Sequence, residues 1–98
     1  MKYEIETTED FDKWLGKIRD KSVLHRFDVR FNRIAKGNFG DVKQIDTNLF
    51  EIRFFFGGGF RIYYTIRNDT IILLLCGGDK STQSRDIARA KELLNWLR

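Results

Sequence analysis

Leu49-Phe50-Glu51-Ile52-Arg53-Phe54-Phe55-Phe56 alternates in the period of a β-strand, and Gly57-Gly58-Gly59 then turns the chain. Phe50, Ile52, Phe54 and Phe56 fall on one side of that strand, and Glu51, Arg53 and Phe55 on the other. The alternation resumes at once: Phe60, Ile62, Tyr64 and Ile66 interleave with Arg61, Tyr63, Thr65 and Arg67. Asn68-Asp69 makes a second tight turn into Thr70-Ile71-Ile72-Leu73-Leu74-Leu75-Cys76, a run that is apolar on both faces. Such a run is expected for an interior strand covered on both sides. With Val42–Ile45 as a short strand before them, these segments predict an antiparallel sheet.

Outward from the sheet, the period lengthens. Tyr3–Glu6 reads as a short first strand, and Thr7 or Thr8 can cap a helix with Glu9, Asp10 and Asp12 in its first turns. Phe11, Trp14, Leu15 and Ile18 form its apolar stripe. Ser22 is a plausible cap for a second helix to about Lys36, with Val23, Phe27, Phe31 and Ile34 inward and Arg26, Arg30 and Arg33 together on another face. Gly37-Asn38 ends it, and the short connection predicts an αα-hairpin. Gly77-Gly78 closes the last strand, after which Ser81 or Thr82 can start a final helix carrying Ile87, Ala90, Leu93, Leu94 and Leu97. The expected order is β-α-α-β-β-β-β-α, an α+β fold whose antiparallel sheet carries the helical hairpin on one face.

Ninety-eight residues suit a single domain spanning 1–98. Hydrophobic residues at 42% and charged ones at 33% are those of an ordinary globular domain. One Cys and one His exclude a disulfide framework and a multi-cysteine zinc site. The N-terminus lacks a signal-like apolar stretch, and the longest apolar run, Ile71–Cys76, is too short for a membrane helix. A reducing, cytoplasmic setting is expected. The charge is uneven: residues 1–20 carry a net −2, residues 21–67 a net +5, and the last 31 a net +1. A basic middle suits a polyanion or an acidic partner.

The side chains that could do chemistry gather in two places. If the hairpin covers the Phe/Ile face, then Glu51, Arg53, Arg61 and Tyr63 share the other. Arg53 and Arg61 would repel unless an anion or a carboxylate stands between them. Glu51 pairing with one of them on a solvated face is one reading; a phosphate held in the arginine forks is the other. The second place is Gly77-Gly78-Asp79-Lys80-Ser81-Thr82-Gln83, where a glycine pair leads into a helix N-terminus and Lys80 adds a charge. It is either an anion site or a plain turn, and it lacks the P-loop spacing. His25 lies near the start of the second helix, away from the arginine strands, and Cys76 reads as an inert packed thiol. Arg26, Arg30 and Arg33 could contact RNA or an acidic peptide, or form a solvated face.

The segments GNFGDVKQI, FEIR, GGGFRIYY, LLLCGGDKSTQ and DIARA, with FDKWL in the first helix, together resemble the RelE/ParE superfamily of bacterial toxin–antitoxin toxins. The likeness is greatest to the HigB-like "addiction module killer protein" branch. The resemblance implies a small α+β toxin of a type II toxin–antitoxin module, cutting messenger RNA in the ribosomal A site without metal or other cofactor. It also implies a cognate antitoxin that holds the toxin inactive. Carried over residue by residue, it makes Arg53, Arg61 and Lys80 catalytic, with Lys43 and Gln83 as weaker carry-overs for RNA contact; Arg30 and Arg33 are RNA candidates from the helical stripe alone. The RelE type has a tyrosine in its C-terminal segment and other HigB-like toxins use histidines. This chain has no Tyr after Tyr64, which leaves Glu51, Tyr63 and Asp79 as candidates for proton transfer. Two other implied functions stay open: gyrase inhibition, as in the ParE branch, and a plain RNA- or protein-binding role.

Overall fold

The computed structural model describes residues 2–97, so the two end residues of the expected domain lie outside it. Its elements follow the expected order: β1 (Glu4–Thr7), α1 (Glu9–Gly16), α2 (Lys21–Ala35), β2 (Val42–Asp46), β3 (Leu49–Arg53), β4 (Arg61–Arg67), β5 (Ile71–Gly78) and α3 (Gln83–Trp96). A 3-10 turn, Lys80–Thr82, precedes α3. The strands form one sheet in the order β1-β5-β4-β3-β2. Four of its strands, β2 to β5, run antiparallel in sequence, while β1 adds to β5 in parallel.

The first two helices start where short polar side chains take up free backbone N–H groups. Thr8 accepts from Phe11 N at the start of α1, and its hydroxyl donates to Leu75 O, which ties that start to β5. The second helix is capped by Asp20, with Ser22 donating to it from both N and Oγ. Ser22, the expected cap, therefore serves as the donor, because the carboxylate two residues earlier is the stronger acceptor.

The α1–α2 hairpin buries Phe11, Phe27 and Ile34 against Ile52, Phe54, Ile62, Tyr64, Ile72 and Leu74. Phe27 is the hub of this layer, with ring centroids of Phe54 at 5.0 Å, Phe60 at 5.3 Å, Trp14 at 5.8 Å and Phe56 at 6.2 Å. The opposite face is not solvated as expected. There α3 packs Ala90 and Leu93 on Leu49, Tyr63, Leu73, Leu75 and Cys76. A register shift between Tyr63 and Tyr64 leaves Leu75 as an extra residue on β5. It resets the alternation, so that Cys76 opposes Tyr63 and Gly78 opposes Arg61.

The β3–β4 connection is longer than a tight hairpin. β3 ends at Arg53, and residues 54–60 form a loop closed by Phe54 N–H donating to Phe60 O at 3.0 Å. At its tip Gly59 N–H donates to Phe56 O, and Gly57 and Gly58 take φ of 56° and 75°. Two consecutive positive φ angles are what such a turn requires, and glycine adopts them without a Cβ clash. Across the molecule, Arg89 of α3 grips Asp10 of α1 with two hydrogen bonds, at 2.8 and 3.1 Å. No helix among the described residues is long and apolar enough to cross a membrane.

Two stability measurements check this packing. Phe27→Ala removes the hub of the aromatic layer and is expected to cost about 3–5 kcal/mol in denaturant unfolding; a loss below 1 kcal/mol would contradict the described core. Burial pushes the Cys76 thiol up to about 12. It should therefore stay unmodified by a thiol reagent at neutral pH and react only as the chain unfolds.

Candidate functional site

Strand register brings the two arginines together. Arg53 on β3 lies directly opposite Arg61 on β4. Two residues along, Glu51 opposes Tyr63 on one side and Lys43 on the other. Directly opposed residues share a face of the sheet. Lys43, Glu51, Arg53, Arg61 and Tyr63 therefore all belong to the face that α3 covers.

The chain beyond β5 brings Lys80 to the same place. Its N–H approaches Gly58 O at 3.4 Å. A Cβ built on Gly59 would stand 3.5 Å from Lys80 Cβ and 3.7 Å from Arg61 Nη1. Gly59, at φ 76°, thus lies against both the stem of Lys80 and the guanidinium of Arg61. Lys80 itself is exposed.

Burial divides the cluster. Arg61 is 7% exposed and Glu51 only 1%. Arg61 Nε stands 3.9 Å from Glu51 Oε1, and its Nη1 reaches Phe54 O at 3.5 Å. Gln83, from the first turn of α3, donates to Glu51 Oε2 at 2.8 Å. Arg53 is about one-third exposed, with Nε 3.9 Å from Asp41 Oδ2. Neither carboxylate closes to hydrogen-bonding distance, and both arginine Nε atoms are buried without an acceptor among the described residues. The pairs offset charge, and of the two side chains the partly exposed Arg53 is the one an anion can reach.

The pairing of Glu51 with an arginine, one of the two readings of this face, is present, but it lies in the interior under α3. The proton-transfer candidates are placed accordingly. Tyr63 is fully buried, and its hydroxyl, beside Glu51, has no hydrogen-bond partner among the described residues. Burial first, and the Glu51 charge second, hold its phenol well above the usual range, so it stays protonated at any working pH. Glu51 and Tyr63 are both shut away from the surface, where Glu51 pairs with Arg61. Asp79 is a cap: it accepts from Ser81 N and Oγ and from Thr82 N. Those bonds keep its carboxyl below the usual carboxylate range.

The glycine pair has a packing reason instead of a ligand. A Cβ on Gly77 would run into the Trp14 ring, and one on Gly78 into the Asp86 carboxylate and the Thr82 hydroxyl. Of the two readings of this segment, anion site and plain turn, the geometry is that of a turn: Asp79 already holds the N–H groups of Ser81 and Thr82 in a close-packed acidic cap.

Arg30 and Arg33 do not join the cluster. They lie on the hairpin side of the sheet, where Arg30 donates to Phe39 O, Arg53 O and Asp41 O at 3.0, 3.2 and 2.8 Å. Arg30 is therefore a clamp that fixes the segment before β2 to the end of β3. Arg33 and Arg26 remain exposed beside it, Arg26 stacking over Phe56 at 4.6 Å. His25 is exposed on the same helix. Two residues of the site carried no signal of their own in the sequence: Asp41, whose partner is twelve residues away, and Asp86, which is buried beside Gly78. Among the described residues no three His, Cys, Asp or Glu side chains gather as a metal site would require.

Comparison with known proteins agrees with this architecture. A protein from Haemophilus influenzae, described as uncharacterized, is 43% identical over 97 residues, covering 99% of this chain and 98% of that protein. Among solved structures, a mutant of the E. coli toxin RelE in complex with a peptide of the antitoxin RelBc superposes with a TM-score of 0.66. It covers 88% of this chain and 95% of that one at 13% identity, so the fold is RelE-like. The family model described as phage derived protein Gp49-like (DUF891) matches residues 9–95. With nearly the whole chain under that model, this protein belongs to the Gp49-like (DUF891) family.

Proposed function

We propose that this protein is the toxin of a type II toxin–antitoxin module, of the HigB-like kind, and that it cuts messenger RNA in the A site of translating ribosomes. The observation that carries the reading is the pairing of Arg53 with Arg61 across β3 and β4, with the stem of Lys80 and the Arg61 guanidinium both against Gly59, on a fold shared with a toxin solved in complex with its antitoxin peptide. Its place of action would be the cytoplasm, where the ribosomes are.

In this reading the 2′-oxygen of one nucleotide attacks the adjacent phosphorus. The P–O5′ bond breaks, leaving a 2′,3′-cyclic phosphate and a 5′-hydroxyl. The 2′-OH proton passes to water or a ribosomal group, and the leaving 5′-oxygen takes one up. Negative charge grows on the five-coordinate phosphorus, and fixed cations stabilise that state more than the ground state. Arg53 and Lys80 are exposed enough to touch the phosphate. Arg61 adds its charge from just beneath, in a low-dielectric setting where charge acts strongly. Lys43 extends the basic strip, and Gln83 holds Glu51. The need for a 2′-OH makes the substrate RNA.

The antitoxin is the second partner. An acidic segment laid over Arg53 and Lys80 would neutralise the protein by masking the phosphate contacts.

The reading predicts that Arg53→Ala and Lys80→Ala each slow message cleavage in a purified translation system by about 100-fold, with unchanged melting temperature. Equal cleavage by both variants and by their double would overturn it. Arg61 needs a different test, because a side chain only 7% exposed is not cut back to alanine without cost to the fold. Arg61→Ala strands the buried Glu51 carboxylate and should lose about 3 kcal/mol of stability. The paired variant Glu51→Gln/Arg61→Gln should recover most of that stability while remaining slow in cleavage. Recovery of both would make Arg61 purely structural.

A further inference from the structure

The sheet face that carries Arg53 does not stop at the end of β3. Alternation continues into the loop, so that Phe54 enters the core, Phe55 turns out and Phe56 packs back on Phe27 and Phe60. Phe55 is 77% exposed, the most exposed large apolar side chain among the described residues. Its position is set by the loop, which is closed on both sides by backbone hydrogen bonds, Phe54 to Phe60 and Gly59 to Phe56. Its ring lies 5.9 Å from the Arg53 guanidinium. A single exposed phenylalanine is unremarkable in itself. One held on a closed loop, beside a partly exposed cation, is the arrangement that binds single-stranded nucleic acid: charge for the backbone, a ring for the base.

Resting on the RNA-cleaving function proposed above, we infer that Phe55 is a stacking platform for a nucleobase next to the phosphate held by Arg53 and Lys80. It positions the strand and does not take part in bond breaking. Stacking accepts any base but is stronger with the larger purine surface, so the ring would also bias where the protein cuts. An apolar anchor for the antitoxin is the competing use of the same ring, and the two differ in what they demand of it. A base needs a flat aromatic face; an apolar protein pocket accepts an aliphatic side chain.

The experiment compares the wild type with Phe55→Leu, Phe55→Ala and Phe55→Trp, each first checked for an unchanged melting temperature. Cleavage rates and cut positions are read on a defined message in a translation system. The expected result is a loss of about tenfold or more for Phe55→Leu and Phe55→Ala, with Phe55→Trp near wild type. The purine bias beside the cut should flatten in the leucine variant and persist in the tryptophan variant. Wild-type cleavage with equal rates and equal bias in Phe55→Leu overturns the stacking role alone, most plainly if the same variants weaken antitoxin binding. No cleavage by the wild type overturns the proposed function, and this inference with it.

Discussion

Two arginines set directly opposite each other across an antiparallel pair repel, and most of the site's construction follows from holding Arg53 and Arg61 in that register. Each has its own carboxylate, Asp41 for Arg53 and Glu51 for Arg61, and both pairs stand at 3.9 Å. That spacing offsets charge without closing the hydrogen bonds that would use up the guanidinium donors. The interior pair is costly because both groups leave water. Its cost is reduced by Gln83, which donates to Glu51 at 2.8 Å from the first turn of α3. Placing Gln83 there requires α3 to begin close against the sheet, and only a glycine at position 78 leaves room for Asp86 and Thr82 beneath that turn. The register shift on β5 is what turns Gly78 to this face.

The other face supplies rigidity. Phe27 and its ring neighbours fill the space under the hairpin, and Arg30 bonds three carbonyls at the point where the loop before β2 meets the end of β3. One of those carbonyls belongs to Arg53. The clamp on the hairpin side thus fixes the backbone from which the Arg53 side chain projects on the α3 side. In the proposed chemistry, a charge cluster that meets a growing negative charge without reorganising benefits from such a frame. The same division of labour explains why Arg26 and Arg33 stay exposed while Arg30, between them in sequence, does not.

The fold was legible in the sequence because its signals are local. Period-two alternation from Leu49 to Arg67, the apolar run to Cys76 and the helical stripes around Phe11 and Phe27 each fixed an element without reference to the others. Their ends were less legible. Strand β3 stops at Arg53 and not at Phe56, because the three glycines build a wide closed loop whose entry residues alternate like a strand without pairing as one. The site was legible in part. Alternation alone placed Glu51, Arg53, Arg61 and Tyr63 on one face. Which of these are buried could not be read, since that depends on α3 crossing the sheet, a contact between residues more than twenty positions apart. For the same reason Arg30 resembled its exposed neighbours at three- and four-residue spacing, and Gly77-Gly78 resembled a ligand-binding turn. A glycine required by a packed neighbour and one required by a ligand look alike in sequence.

The central claim is that this cationic face acts on RNA presented by the ribosome. The most direct test is cleavage mapping of a defined message in a purified translation system, with ribosomes present or omitted, reading both the cut positions and the chemistry of the new ends. The account predicts cuts inside codons only while ribosomes translate, each leaving a 2′,3′-cyclic phosphate and a 5′-hydroxyl. An intact message with translation unaffected would contradict it.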